Sequence, residues 1–500
     1  MDFIHSAVMG FELAFQPMNF LLCFTGVLLG TLVGVLPGLG PVAAMSLLLP
    51  VTFNIPPIAA IIVLSGIYYG SMYGGSTTSI LVNIPGEAAS VITCLDGYQM
   101  ALRGRAGPAL GIAAFGSFIA GTLSLLGLMF LGPFLAAGAL KFGPPEYFSI
   151  MILGMTVLTF LSSGPMWKAL LMAAFGLFLS TIGMDNVSGT ARLSMNIEEL
   201  IDGIGLVPVV MGLFGISEVM LNVESSLKRS IVETKITNLL PNRKEWGASL
   251  GPILRGTVIG FFLGILPGAG AIISSFASYA VEKKLSKHPE KFGTGAIEGV
   301  AGPESANNAA SGGAFIPLLS LGIPSNAVTA LLLGALIIHG IQPGPLLINK
   351  HPEIFWGTVA SMYLGNVLLL VLNLPLIGIW VKVLKVPYPV LFPLILLFCL
   401  IGAYSLNNSI IDITIMNIFG LIGYFFRKLR YEAAPLVLAL VLGPMMENSL
   451  RQSLLLSAGS PLIFLNRPIS SVILITALLL LVFPLIPWFR GKRPAFGDSP

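Results

Sequence analysis

The sequence predicts an all-α polytopic membrane protein of about 10–12 transmembrane segments, arranged as two inverted repeats with re-entrant hairpins and broken helices. The first observation is composition: mean hydropathy is +0.91, and 10% of residues are charged, against about 25% in soluble domains. The second is a glycine-rich stretch that occurs twice. The third is the unequal distribution of basic residues around its two copies.

The repeated stretch is GVLLGTLVGVLPGLG at Gly26–Gly40 and GTVIGFFLGILPGAG at Gly256–Gly270. Glycines at every fourth position give a helix a smooth face that a second helix can approach closely. The Pro-Gly-x-Gly that follows is predicted to end the helix, because proline lacks a donor and glycine adopts positive φ. Lipid cannot satisfy the exposed backbone groups. Two such breaks, one in each half, are typical of a transporter binding site.

The chain is predicted to divide into two membrane repeats around a hydrophilic middle segment. The expected units are an N-terminal segment at 1–19, a first membrane repeat at 20–222, a cytoplasmic linker at 223–247, a second membrane repeat at 248–490 and a polar tail at 491–500. The first broken helix runs over 20–36 and resumes at 42–49. Asp96–Gly107 is predicted to be a loop. Further apolar runs lie at about 109–137, 147–162, 167–183, 203–221, 355–384, 390–404, 410–425, 433–446 and 470–489.

Each repeat also contains a polar, glycine-rich passage within apolar surroundings. The first passage is Gly70–Ser90 and the second is Gly302–Val328. Ile84-Pro85-Gly86 in the first is matched by Ile323-Pro324-Ser325 in the second. Hydroxyl and amide side chains beside glycine and proline predict an unwound helix, whose free N–H groups can hold an anion and whose oxygens can hold Na⁺.

Binding residues are therefore predicted at the two breaks and in the two polar passages. The predicted substrate- or cation-binding residues are Gly38, Gly40, Ser76, Thr77, Thr78, Asn83, Gly268, Gly270, Ser305, Asn307, Asn308, Ser311, Ser325 and Asn326. Glu87 and Glu304 are predicted to bind a cation or carry a proton, because carboxylates at membrane depth are commonly functional. Two alternatives remain open: the polar side chains only bridge neighbouring helices, or the two glutamates cap helices at the membrane surface.

The basic residues indicate an orientation. Those flanking the second copy are Arg243, Lys244, Arg255, Lys283, Lys284, Lys287 and Lys291, whereas the first copy has no Lys or Arg between Met1 and Gly70. Cytoplasmic loops carry an excess of Lys and Arg. The second hairpin is therefore expected to start from the cytoplasm and the first from the opposite face, which makes the repeats inverted.

Several function classes find no support in the sequence. The net charge of +4 is small and dispersed, so no nucleic-acid partner is expected. Three cysteines without CxxC spacing and four scattered histidines form no metal or nucleophilic motif. There is no Walker A motif, so ATP hydrolysis by that route is not expected.

Four motifs, LVGVLPGLGP, YGGSTTSILVNIPGEAAS, GILPGAG and GPESANNAASGGAFIPLLSLGIPSN, resemble the TctA family, the large membrane subunit of bacterial tripartite tricarboxylate transporters. The resemblance covers nearly the whole chain. It implies a secondary transporter in the bacterial inner membrane that imports carboxylates such as citrate, driven by a Na⁺ or H⁺ gradient and without another cofactor. It also implies a small membrane subunit, a periplasmic substrate-binding protein and, through kinship with the ion-transporter superfamily, an elevator-like movement.

Two other functions remain as alternatives. A channel with the same polar hairpins would lack substrate saturation and dependence on an ion gradient. A membrane-embedded enzyme would need a nucleophile–base pair or a metal cluster at membrane depth, and the sequence provides no such group.

Overall fold

The computed structural model describes residues 3–36, 40–161, 165–185, 188–224, 236, 238–266, 268, 270–384, 386 and 388–482. The predicted binding residue Gly38, residues 225–235 and 237 of the predicted linker, and the polar tail lie outside these ranges. The described chain is almost entirely helical, so the predicted all-α class is confirmed. It also contains one short antiparallel pair, β1 (Gly183–Met184) and β2 (Ala191–Arg192), in which Gly183 is opposite Arg192.

The helices of the first half run from the N-terminus to residue 224. They are α1 (Phe3–Ala14), α2 (Pro17–Val35), α3 (Pro41–Leu48), α4 (Pro57–Val82), α5 (Val91–Thr93), α6 (Gln99–Leu102), α7 (Ala106–Ala139), α8 (Pro144–Leu161), α9 (Met166–Ser180), α10 (Leu206–Val210) and α11 (Ser217–Glu224). 3₁₀ helices occur at Leu49–Asn54, Ala88–Ser90 and Glu198–Leu200, and π-helical turns at Cys94–Tyr98 and Met211–Ile216.

The second half begins with the second broken helix. Its helices are α12 (Arg243–Ile265), α13 (Gly270–Leu285), α14 (Glu298–Gly313), α15 (Phe315–Leu321), α16 (Ala327–Ile338), α17 (Leu347–Lys350), α18 (Pro352–Asn373), α19 (Ile377–Val383), α20 (Tyr388–Asn407), α21 (Ile410–Lys428), α22 (Ala434–Leu456), α23 (Ile463–Asn466) and α24 (Pro468–Val482), with a 3₁₀ turn at Pro289–Lys291.

Among the described residues, seven helices are long and apolar enough to cross a membrane. They are Pro17–Val35, Pro57–Val82, Ala106–Ala139, Leu206–Glu224, Arg243–Ile265, Pro352–Asn373 and Ile410–Lys428. The sequence estimate of 10–12 segments is higher because it follows from the chain length at about 20 residues per span. Other apolar helices in the described ranges have 10–17 residues, such as α1 and α9. The chain is a multi-pass membrane protein.

Both glycine-rich helices end at the predicted breaks. α2 ends at Val35 and α12 at Ile265, and in each case a new helix begins within a few residues. The glycines pack against a neighbouring backbone, as predicted: a Cβ atom at Gly26 would lie 2.5 Å from the carbonyl oxygen of Val63 on α4. The corresponding neighbour of Gly256 is the Gly302 carbonyl on α14. The glycine faces therefore fix α2 on α4 and α12 on α14 at close range.

Two buried helices, α4 and α14, form the centre of the fold. Every α14 residue from Gly299 to Gly313 is buried, and nearly all of α4 is buried. Both contact α7, and α4 also contacts α18. The polar passages therefore lie where protein, and not lipid, surrounds them, which allows many Ser, Thr and Asn residues at membrane depth.

Candidate functional site

The two polar passages are largely helical, which corrects the prediction that they are unwound. Ser76–Ser79 lie on α4, and Ser305–Ser311 lie on α14. Ser76 Oγ and Ser305 Oγ each donate to the carbonyl one turn back, at 3.3 Å to Met72 O and at 2.7 Å to Ala301 O. The glycines of the passages serve close packing instead of unwinding. A Cβ atom at Gly313, for instance, would lie 2.5 Å from the carbonyl oxygen of Phe261.

The interruptions follow the helices, and the two have the same design. The residues that cap the C-terminal ends of α4 and α15, Asn83 and Gly322, are both in the left-handed conformation, with φ of 58° and 72°. Ile-Pro follows in each case, and proline prevents the helix from continuing. The chain then restarts with a capping box, in which Glu87 caps the turn Ala88–Ser90 and Asn326 caps α16.

Glu87 connects the first interruption to α14. Its side chain is 6% exposed, and its Oε2 accepts a hydrogen bond from the Ala89 N–H at 2.6 Å. Its Oε1 accepts from Asn307 Nδ2 at 3.0 Å. The Oδ1 atom of Asn307 is buried and has no hydrogen-bond partner among the described residues. This acceptor is therefore available to a bound cation or water.

Glu304, on α14, is a second buried carboxylate near the first. It is fully buried, and it accepts hydrogen bonds from Ser76 Oγ at 2.5 Å and from Thr93 Oγ1. In the part of the chain that the structure describes, neither Glu87 nor Glu304 forms an ion pair. An ionised carboxylate that is buried without a partner is costly. The two groups therefore need a bound cation or a proton.

The second interruption presents neutral groups. Asn326 Nδ2 donates to the Tyr68 hydroxyl of α4 at 3.1 Å. Ser325 is fully buried, and its Oγ has no hydrogen-bond partner among the described residues. Its carbonyl accepts from the N–H of Gly268 at 2.8 Å. The second hairpin break therefore lies beside the second interruption.

Helices next to the two breaks also contact the other half of the chain. Ala271, at the start of α13, packs in one cluster with Ala89 and Ala310. α3, which follows the first break, packs against α16. A Cβ atom at Gly40 or at Gly270 would have no atom of the described residues within 4 Å. The second break thus lies beside both interruptions, and the helix that follows the first break contacts α16.

Other predicted binding residues lie elsewhere or have structural partners. Asn83 is exposed, Thr78 donates to the Val35 carbonyl at the end of α2 at 2.6 Å, and Thr77 is buried in α4. Asn308 donates to Ser117 on α7 at 2.7 Å. Together with Ser311 it lines a cavity of about 20 Å³ between α4, α7, α14 and α18, which has room for a water molecule.

Sequence reasoning missed several residues around the site. Thr93 bonds Glu304, and Tyr68 bonds Asn326. Both lie in apolar runs, where no local pattern marks them as binding residues. Asp96 was predicted to lie in a loop, yet it is fully buried within the π-helical turn Cys94–Tyr98. Its Oδ1 accepts from the N–H groups of Gly293, Gly295 and Ala296 at 2.7–2.9 Å. Only the tertiary structure shows that this carboxylate fixes the segment preceding α14.

A comparison with protein families matches residues 20–438 to the tripartite tricarboxylate transporter TctA family. The chain belongs to the TctA family. It is therefore a membrane subunit of a tripartite tricarboxylate transporter and not an enzyme, which confirms the resemblance inferred from the motifs. The membrane-enzyme alternative is thereby rejected.

Two relatives from Agrobacterium vitis are similar over most of their own length. One, described as an uncharacterized 52.8 kDa protein in the TAR-I ttuC' 3' region, is 50% identical over 493 residues, covering 99% of this chain and 98% of the relative. The other, described as an uncharacterized protein in the TAR-II ttuC' 3' region, is 52% identical over 234 residues, covering 47% of this chain and 97% of the relative. No solved structure matches the chain.

Proposed function

We propose that this chain is the large transmembrane subunit of a binding-protein-dependent secondary transporter that imports carboxylates, either a tricarboxylate such as citrate or a related organic acid. A Na⁺ or H⁺ gradient drives uptake across the bacterial inner membrane. A periplasmic binding protein delivers the substrate, and a small membrane subunit completes the complex. The core is two inverted repeats with re-entrant hairpins, and it moves by an elevator-like shift.

One observation carries the coupling part of the proposal. Glu87 and Glu304 are buried without an ion pair among the described residues, and Glu87 lies in the first interruption, close to the start of α13 after the second break. A cation or a proton removes the cost of burying these charges. Its release and rebinding on opposite sides of the membrane would link the gradient to movement of the substrate.

Charge placement supports the proposed orientation. The Arg105 guanidinium pairs with Glu245 at 2.9 Å, so the start of α7 lies beside the start of α12. The basic residues that flank the second hairpin are numerous, whereas the first has none nearby. The positive-inside rule then assigns the base of the second hairpin to the cytoplasm and that of the first to the periplasm.

Uptake by the complete complex tests the proposal. The chain is reconstituted into proteoliposomes with its small membrane subunit, and the uptake of labelled citrate and of other di- and tricarboxylates is measured with and without the binding protein. Na⁺ and pH gradients are imposed separately. We expect saturable uptake that depends on one gradient. Uptake that is independent of both gradients, or that does not saturate with substrate concentration, would support the channel alternative instead.

Asn307→Ala tests the site within the same assay. The variant removes the amide that bonds Glu87 at 3.0 Å, and we expect about a tenfold loss of uptake. Asn417→Ala is the matched control, because Asn417 is exposed on α21 and its amide bonds only the Ile413 carbonyl of its own helix, at 2.9 Å. Equal uptake by both variants, at equal amounts of inserted protein, would remove the site.

A further inference from the structure

The two interruptions match residue by residue. Each position in the second loop is 239 residues after its counterpart in the first, which pairs Asn83 with Gly322 and Glu87 with Asn326. The capping bonds repeat as well: Ser90 Oγ donates to the Glu87 carbonyl at 2.9 Å, and Thr329 Oγ1 donates to the Asn326 carbonyl at 3.0 Å. The same local structure therefore occurs once in each repeat.

The contacts between the repeats are reciprocal. Glu87 bonds Asn307 of the other repeat, and Asn326 bonds Tyr68 of the first repeat. Asn307 is also 239 residues after Tyr68, so the two cross-repeat hydrogen bonds join corresponding positions. Reciprocal pairs of this kind are what an approximate two-fold axis between similar units produces. Two corresponding junctions thus lie on either side of that axis.

The junctions differ in charge. The first, which we call the Glu87 junction, combines Glu87 and Asn307 with Glu304. In the second, the Asn326 junction, Asn326 takes the place of Glu87, and the position that corresponds to Glu304 is Ser65. The donors of Glu304 are replaced too, because Phe315 corresponds to Ser76. All the carboxylates of this centre therefore belong to one junction.

The neutral junction has buried polar groups without hydrogen-bond partners in the described ranges, and one of its helices, α16, contacts α3. Ser325 and Ser65 are fully buried, and their hydroxyls lack hydrogen-bond partners in the described ranges. α3, an eight-residue helix that packs on α16, begins at Pro41; its N-cap residue, Gly40, provides no side-chain cap, and a Cβ atom at Gly40 would have no described atom within 4 Å. Uncapped N–H groups at a helix start attract anions. Neutral hydroxyl and amide donors suit a carboxylate because they leave no charge unpaired when it departs.

We propose that the two junctions divide the ligands: the Glu87 junction binds the coupling cation, Na⁺ or H⁺, and the Asn326 junction binds a carboxylate group of the substrate. This inference rests on the proposed function. The two repeats provide two junctions of similar backbone structure. The Glu87 junction has acidic residues and suits a cation, whereas the Asn326 junction has neutral residues at the same positions and suits an anion. Cation binding at the first junction also offsets the negative charge near the incoming substrate, which favours binding of both together.

Ligand-induced stabilisation of the purified chain separates the two junctions. Thermal unfolding of detergent-solubilised protein is measured with NaCl against choline chloride, over a pH series, and with citrate at fixed Na⁺ and pH. If Na⁺ is the coupling ion, we expect Glu87→Gln to reduce the apparent affinity for Na⁺ about tenfold, which is about 1.4 kcal/mol. If H⁺ is the coupling ion, we expect the same variant to abolish the dependence of stability on pH. Tyr68→Phe should weaken the citrate response by a similar factor and leave the cation response in the absence of citrate unchanged.

A second variant at each junction is used if the first variant does not fold. Glu304→Gln replaces Glu87→Gln, and Ser325→Ala replaces Tyr68→Phe, if a first variant is not monodisperse in size-exclusion chromatography. A loss of the cation response in Tyr68→Phe or Ser325→Ala equal to that in the glutamate variants would overturn the division. So would an unchanged cation response in both glutamate variants. Absence of carboxylate uptake by the wild-type complex would instead reject the proposed function, and the division of ligands with it.

Discussion

Asp96 provides a quantitative test of how the two halves are held together. Its Oδ1 accepts three backbone N–H bonds from residues 293–296, and its Oδ2 accepts from the Tyr279 hydroxyl at 2.9 Å. Removal of a partner from a buried polar group costs about 1–3 kcal/mol per group. Asp96→Ala orphans three N–H groups and one hydroxyl. Because Gly293 is exposed to water, we expect a total loss of about 4 kcal/mol, near the lower end of that sum.

Graded variants make the prediction specific. Asp96→Asn keeps one carbonyl acceptor, and Tyr279→Phe removes only one bond, for which we expect about 1 kcal/mol. For a chain of 500 residues, a loss of 4 kcal/mol corresponds to a fall in Tm of about 4 °C. Thermal unfolding of the solubilised protein, followed by size-exclusion chromatography with fluorescence detection, should rank Asp96→Ala as the least stable and Tyr279→Phe as the most stable. Wild-type stability of Asp96→Ala would refute the reasoning.

Three further predictions follow from the packing. In Gly30→Ala the new Cβ would lie 2.6 Å from the Ile67 carbonyl oxygen, so we expect a loss of about 1–3 kcal/mol. Gly378→Ala, where nothing lies within 4 Å, should cause none, and equal Tm values for the two variants would contradict the close approach of α2 and α4. Arg255→Gln leaves the 3% exposed Glu282 side chain without its ion pair. Because Arg255 itself is 44% exposed, we expect a loss of at most about 3 kcal/mol in the free energy of unfolding. Arg255→Lys should lose less stability in the same unfolding assay. Thr329→Ala removes the acceptor of the Ser325 and Asn326 N–H groups, both at 3.0 Å, and should cost about 1–2 kcal/mol. Thr329→Ser should restore that stability, and a serine variant as unstable as the alanine variant would argue against the capping bond.

The helix breaks and the glycine faces follow from the sequence because their causes are local. Pro-Gly-x-Gly ends a helix wherever it occurs in an apolar run, and glycines at every fourth position leave one face without side chains. The same local reasoning failed for the polar passages. Ser76 and Asn307 are in regular helices, because buried serines bond their own helix and glycines meet a neighbouring backbone at close range. Composition does not distinguish these uses of glycine from unwinding.

The sequence by itself determined a helical membrane protein with a duplicated break and its membership in a transporter family, since hydropathy, helix termination and motifs depend on neighbours along the chain. The tertiary structure alone decided which polar residues meet. It joins Glu87 to Asn307 and Ser76 to Glu304 across more than 200 positions of chain, and it divides the α14 side chains between the junctions and α7. Such pairings depend on how helices pack against one another, and no local pattern specifies that geometry.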